Sequence, residues 1–553
     1  MKKETCFWIL LGSFAFLFSS WLMFHTFSYD TKTSSMLIAP KAWSDFGAHI
    51  PLIRSFTFGN NWPPEYPLFP GEPIRYHFLF YFLVGMLEKA GLRIDWALNI
   101  PSIIGFAGLM IGIAFIAQKV FKDKRVTILS VIFFLFNGSL SWIQFFKDHP
   151  LSVHSITDIV TNTTFPSFAP WGKGDISAFW SLNIYTNQRH LGAAFTLALL
   201  FIGILIYIEK KPFKKQLLFA IPEIVILALL PYFHQPILII LALFMMCYFI
   251  LLPRLRGVLL LIGSIGLAYI IPQLLPLFTG PKTVMLHPGY LITPPLTIVK
   301  IIWYWIQNIG LHSIFIPLGW LLAPTRVKKL TVPLFFLFLI PNLFQFSVEM
   351  AANHKFFNFF LIIGNMLSAF ALIRIYTHRW KKKIYTYVCQ TITIICIAGL
   401  MFSGIIDFFP IANDPYLKSE DIPQNETATW IRDNTLPDAI ILNSSYFFHP
   451  ASIAGRNIFY GWPYFSWSAG YNTQGRNNVI KQIFENNNEQ ITCDLLYTNS
   501  ISYVMIEHPW ALEEITLTNT MFQSNTPTYL NKNVSVYDTK ILCGDKNINA
   551  DNQ

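Results

Sequence analysis

The sequence predicts an α-helical polytopic membrane protein of about eleven spans followed by a C-terminal soluble α/β domain, on three observations. Over 553 residues, 53% are hydrophobic and only 13% charged, and the mean hydropathy is +0.45, too apolar for a water-soluble chain of this size. Apolar runs long enough to cross roughly 30 Å of hydrocarbon as helices recur from residue 6 to residue 405. Beyond about residue 410 such runs stop, and Asn, Asp, Ser and Thr take over. The expected division is therefore a membrane domain, 1–409, with a first outer loop at 25–97, and a soluble domain, 410–553.

The candidate spans are 6–24, 98–118, 126–145, 190–208, 217–233, 236–252, 257–275, 307–323, 331–348, 357–374 and 385–405. Residues 1–24 have Lys2, Lys3 and an apolar core, as a signal peptide would, but no convincing small-residue cleavage site follows, so they are kept as the first span. The run 78–87 is too short to cross and is expected to lie in the interface, as is 301–306. With these assignments six basic clusters, 1–4, 119–125, 209–216, 253–257, 324–329 and 374–383, fall on one side and hold 20 of the 40 Lys and Arg. That is the positive-inside pattern, so the net charge of +10 reflects topology and no nucleic acid partner is expected. The N-terminus is then cytoplasmic, and the long loops 25–97, 146–189 and 276–294, together with the tail, are extracytoplasmic. Glu223 is placed toward the inner, hydrated end of its span.

In the tail, alternating patterns predict helices near 424–434 and 476–485 and strands near 438–442 and 501–506. Cys6, Cys247, Cys389 and Cys396 read as packing residues of the spans. Cys493 and Cys543 are the two cysteines of the tail and can pair in an oxidising compartment. Aromatic residues at 459–471 suit either sugar stacking or a small core.

Chemistry-bearing residues concentrate in the outer loops. Asp45 and His49 lie four apart on one face of a predicted helix, with Trp43 and Phe46 as headgroup anchors. The proline-rich segment NNWPPEYPLFPGEP, carrying Glu65, is turn-rich, and Arg75, Tyr76 and His77 follow it. Asp45, Gly59-Asn60, Pro63-Pro64, Gly71-Glu72-Pro73 and His77-Phe78-Leu79-Phe80-Tyr81 occur in that order. In this the chain resembles the GT-C superfamily of membrane glycosyltransferases, which use sugars linked to polyprenyl phosphate, and within it the bacterial protein-mannosyltransferase and aminoarabinose-transferase branches. Trp430, Asn434, Pro437 and Gly455-Arg456 resemble the extracytoplasmic domains of such relatives. Many members have a second acid where this chain has Phe46.

The resemblance implies displacement of a polyprenyl phosphate at the anomeric carbon, with inversion, by an unidentified acceptor. Asp45 is then the general base, although a hydrated loop or helix-cap acid reads the same way in sequence. The leaving phosphate needs outer-face donors, for which Arg75, Arg189, His234 and Lys355 qualify; any one of them could equally snorkel to lipid headgroups. His49, Glu65, His77 and His354 join them as candidate substrate contacts. No cofactor is expected, since no histidine has paired metal-ligand spacing; a divalent cation held by Asp45 with Glu65 or Asp175 stays open. The expected partners are the lipid-linked donor, an acceptor glycan, lipid or protein, and membrane lipids, at a bacterial inner membrane. The rival readings are a secondary transporter or lipid flippase, another class of lipid-donor transferase, and a non-catalytic scaffold.

Overall fold

The computed structural model describes residues 2–278 and 284–544. Part of the outer loop 276–294, namely 279–283, and the last nine residues of the tail, 545–553, lie outside the described residues. Two compact units divide the chain, one of residues 1–26 and 99–415, the other of 27–98 and 416–553. The chain order does not follow this division: the first outer loop, assigned by sequence to the membrane domain, is part of the same unit as the tail.

In the membrane unit, helices stand at each candidate span, but seven among the described residues are long and apolar enough to cross. These are Glu4–Thr26, Ile94–Phe121, Arg189–Ile208, Phe213–Phe233, Pro253–Gln273, Met350–Thr377 and Lys383–Ala412, with Gln235–Leu251 and His312–Leu322 as shorter apolar helices. The remaining segments are broken for local reasons. The 126–145 segment is two helices, Lys124–Leu135 and Ser141–Asp148. Between them the Asn137 amide oxygen accepts from the Ser139 backbone N–H at 3.1 Å and hydroxyl at 2.7 Å, a local bond that competes with continuing the helix. The 331–348 segment is divided before Pro333, which cannot donate a helical hydrogen bond. Segment 295–323 is two helices, Ile298–Ile309 and His312–Leu322, joined at Gly310.

The His354–Thr377 helix is buried along nearly its whole length, so it forms the centre of the unit, whereas the first span turns most of its side chains outward. Helices Ile94–Phe121 and Arg189–Ile208 approach closely through small residues, with Gly105 against Ala193 and Gly108 against Thr196, as membrane packing without a hydrophobic driving force favours. Glu223 is fully buried, contrary to the hydrated position expected of it, and neither carboxyl oxygen has a hydrogen-bond partner among the described residues.

The second unit is α/β. Its sheet runs Tyr529–Leu530, Val534–Asp538, Ile501–Glu507, Ile440–Leu442, Asn457–Ile458, parallel between 440–442 and 501–507 and antiparallel to 534–538. The predicted elements are present as helices Glu426–Asn434 and Thr473–Glu485 and strands Ile440–Leu442 and Ile501–Glu507. Cys493 and Cys543 form a disulfide with Cα atoms 5.6 Å apart.

Loop and tail are interwoven. Hairpin strands Phe27–Asp30 and Ser35–Ile38 take Leu417–Glu420 as their third strand, in register Ser35 with Glu420. The core pools Ala48, Tyr66, Leu68 and Phe69 of the loop with Ile441, Leu442, Val504 and Val536 of the tail. Gly455 has φ +77° and lies against the Arg54 carbonyl, where any Cβ would come within 2.5 Å, so only glycine fits. The two glycine motifs of the sequence, Gly59-Asn60 and Gly455-Arg456, thereby meet: the buried Arg456 guanidinium donates to the Phe58 carbonyl at 3.0 Å.

The helix Trp43–Thr57 is buried from Phe46 onward. Trp43 and Phe46 are not headgroup anchors: their rings pack within the unit, on Phe448 at 4.2 Å and Phe27 at 5.0 Å. The helix is fixed by Arg54, only 2% exposed, whose Nη2 meets Glu88 Oε1 at 3.1 Å and Asp421 Oδ2 at 2.9 Å. Thr57 donates to the other Glu88 oxygen at 2.7 Å.

Replacing Arg54 by Met leaves two carboxylates buried together and is expected to destabilise this unit by about 3–5 kcal/mol, read as a lowered melting temperature in detergent. Removing the Cys493–Cys543 bond, which closes a 50-residue separation, is expected to reduce stability on the order of 4 kcal/mol. The same pair should resist maleimide labelling in unfolded, unreduced protein and label fully after reduction.

Candidate functional site

Asp45 is half-buried in the first turn of the Trp43–Thr57 helix. Three tyrosines, Tyr66, Tyr76 and Tyr81, lie within range of its charge. Burial first, and then neighbouring groups that include the Asp45 carboxylate, push all three hydroxyls far above their ordinary value. They therefore stay protonated and offer O–H donors around a carboxylate. His49, one turn along the helix, stacks on Tyr81 with ring centroids 4.6 Å apart, and His77 stacks on Tyr76 at 3.8 Å. Asp45, His49 and His77 thus share one aromatic cluster, as the sequence placed them in one loop.

Glu65 and Arg75 are engaged elsewhere in this unit. Glu65 accepts from the Gly71 backbone N–H at 2.8 Å, bracing the hairpin Glu65–Tyr66 and Phe69–Pro73. Arg75 pairs with Glu72 at 2.7 Å, donates to the Gly470 carbonyl and lies 5.0 Å over the Tyr471 ring. Arg75 works in the loop–tail seam and Glu65 within the loop.

The remaining candidates belong to the membrane unit, at the first turns of three helices. Arg189 is 1% exposed and donates to the Thr186 carbonyl at 2.7 Å, to Asn99 Oδ1 at 3.1 Å, to the Met23 carbonyl at 3.2 Å and to Thr26 Oγ1 at 2.7 Å. It ties the start of its own helix to the end of the first span and to Asn99. His234, in the turn before Gln235–Leu251, has its ring 5.3 Å from His190 and lies in the field of His190, His354 and Lys355. His354 stacks on Phe179 at 3.9 Å and its Nδ1 meets Asn358 Nδ2 at 3.3 Å. Lys355 is half-buried beside it.

The Lys355 ammonium and the backbone N–H groups of these helix starts supply positive potential, which suits an anion. Sequence reasoning missed the tyrosine cluster and His190, because neither has a motif: three tyrosines at 66, 76 and 81 come together only once the hairpin folds. Asp175, the alternative second acid for a cation, belongs to the membrane unit, where its backbone carbonyl accepts from Asn308 at 3.2 Å.

Fold and site together define an integral membrane protein with an α/β unit built from its first loop and its tail. No family model matches the chain, and no curated protein matches it. Among solved structures it is similar to ArnT from Cupriavidus metallidurans in the apo state, with 10% identity, a TM-score of 0.50, and coverage of 98% of this chain and 100% of that one. It also matches the oligosaccharyltransferase of Archaeoglobus fulgidus in the apo form, at 13% identity and a TM-score of 0.43, over 90% of this chain and 69% of that one.

Arg189→Met removes a cluster of charge-assisted hydrogen bonds and is expected to destabilise the membrane unit by roughly 3 kcal/mol. Thermal unfolding of the variant in detergent checks this.

Proposed function

We propose that the chain is a glycosyltransferase that moves a sugar from a polyprenyl-phosphate-linked donor to an acceptor on the extracytoplasmic face, in one inverting displacement with Asp45 as general base. The observation that carries this reading is the placement of Asp45: a half-buried carboxylate one turn from His49, among three hydroxyls held in the donor state. Such surroundings suit a group that must take a proton from an incoming hydroxyl or amine, because the neighbouring hydroxyls keep their own protons and leave the carboxylate as the proton acceptor. The likeness to ArnT supports the fold class; reaction and donor are this proposal's own step.

In the proposed step the acceptor oxygen or nitrogen forms a bond to the anomeric carbon, the bond to the phosphate oxygen breaks, and the acceptor proton passes to Asp45. The departing lipid phosphate takes the electron pair. Its charge calls for cations or hydrogen-bond donors to meet it. No metal is assigned a role in this step.

A transport reading draws on one observation, the buried Glu223 within a span, since intramembrane ionisable residues often mark substrate or ion pathways. Measuring both activities separates the two readings.

Purified full-length protein in liposomes, supplied with a panel of radiolabelled polyprenyl-phosphate sugars and cell-envelope acceptors, tests the proposal. Asp45→Asn is expected to lower transfer by about 10²- to 10⁴-fold with insertion and melting temperature unchanged. Undiminished transfer by that variant removes Asp45 from the mechanism. Lipid movement without any sugar transfer, sensitive to Glu223→Gln, replaces the whole reading with transport.

A further inference from the structure

The break in the 126–145 segment closes on a cavity of about 40 Å³ inside the membrane unit, lined on its polar side by Asn137, Tyr185, Asn308, His312, Asn358 and Asn365. A helix interrupted within a bilayer must find partners for the backbone groups that the interruption frees, because lipid offers none. Most are found in neighbouring helices. Gly404 donates its N–H to the Asn137 carbonyl at 3.0 Å, and Leu140 donates to the Gln307 carbonyl at 2.8 Å. Ser403 donates to the Ser139 carbonyl at 2.6 Å, and Asn365 Nδ2 donates to the Phe133 carbonyl at 3.0 Å. Asn137 Nδ2 donates to Asp407 Oδ2 at 2.8 Å.

Among the described residues, two side-chain atoms on the cavity wall have no partner: His312 Nε2 and Asn365 Oδ1, on residues 2% and 4% exposed. Their other atoms are fixed. His312 Nδ1 is 2.9 Å from Ser368 Oγ, and the Asn365 amide is oriented by its bond to Phe133. A buried polar atom left unsatisfied is destabilising by about 1–3 kcal/mol. Two such atoms on one cavity wall call for a ligand that both donates and accepts.

We propose that this cavity is a hydration site, holding about three ordered waters that satisfy His312 Nε2 and Asn365 Oδ1 and complete the hydrogen bonding of the helix break. The volume fits, since each water needs on the order of 10–15 Å³ of such space. The chemistry selects water over a monovalent cation. A cation needs several unengaged oxygens, but Asn137 Oδ1 already accepts from Ser139, and Asn308 Oδ1 from Ser177 N at 2.9 Å and Trp180 Nε1 at 2.8 Å. An imidazole nitrogen on the wall points the same way. It also selects water over an acyl chain, which would leave both atoms unsatisfied. The site is independent of the proposed transfer reaction.

High-resolution cryo-electron microscopy of the full chain in lipid nanodiscs tests this. Two or three density peaks in the cavity are expected, with His312 Nε2 and Asn365 Oδ1 each at hydrogen-bond distance, about 2.7–3.2 Å, from one of them. A dry cavity, continuous lipid density, or a single peak with the short, many-oxygen contacts of an ion overturns the proposal. Radiolytic hydroxyl labelling in ¹⁸O water supplies a second readout. Tyr185 and Trp180, buried against the cavity, should label in the wild type and fall to background in Asn365→Leu; no label in the wild type also overturns it.

Discussion

The geometry of the α/β unit rests on one buried cation. Arg54 sits where low dielectric makes an isolated charge untenable, and two carboxylates from segments far apart in the chain meet it: Glu88 from the helix Leu79–Lys89 and Asp421 from the tail, 367 residues away in sequence. Burial pushes the Glu88 carboxyl up while the guanidinium opposes that shift. Burial and the Asp421 charge push the nearby Tyr29 hydroxyl up to about 12. Because the arginine is on the same helix as Asp45, the ion cluster fixes the axial position and rotation of the helix that presents the candidate base. Nonpolar packing alone would tolerate a slip along that helix; a buried cation with two specified partners does not.

That dependence explains why the loop and the tail form one unit. A loop of some seventy residues on its own has little core, and here it borrows one. Its hairpin gains a third strand from Leu417–Glu420, its proline-rich segment packs beneath Tyr471 and Arg476, and its glycine at 59 abuts Gly455. Arg476 lies 3.6 Å over the Phe69 ring, and Arg75 over Tyr471, so cation–π contacts recur along this seam. Residues that look like ligands for an anion in the linear sequence, Arg75 above all, are the fasteners of this assembly.

Much of this was legible beforehand, and what was not has physical causes. Spans and tail elements could be read because apolar length and period are local properties, written in contiguous residues: the helix at Glu426–Asn434 and the strand at Ile501–Glu507 lie where the pattern put them. Breaks within spans could not, because Asn137 ends a helix only when Ser139, Gly404 and Asp407 are there to receive the freed groups. The pairing of Arg54 with Asp421, and the gathering of Tyr66, Tyr76 and Tyr81 about Asp45, are relations between distant segments with no sequence motif. Of the candidate site, the first-loop acid and its two histidines fall in one cluster, whereas Glu65 and Arg75 are taken up by turn and seam.

The tyrosines bear on how a lone acid can serve in the proposed role. A second carboxylate beside the first would raise its affinity for a proton by repulsion, and tune a base in that way. Here Phe46 occupies the next position, fully buried against Phe27, and no charge can be placed there without breaking that contact. The surroundings of Asp45 act by another route: half-burial removes part of its water, while protonated hydroxyls supply dipoles that turn toward negative charge and can relax when a proton arrives. In its proposed role as base such a carboxylate needs no partner acid, and its strength would be set by how closely Tyr66, Tyr76 and Tyr81 are held. Tyr66 is held by the hairpin, Tyr76 by the His77 stack, and Tyr81 by the helix Leu79–Lys89, which Arg54 ties to its own helix through Glu88.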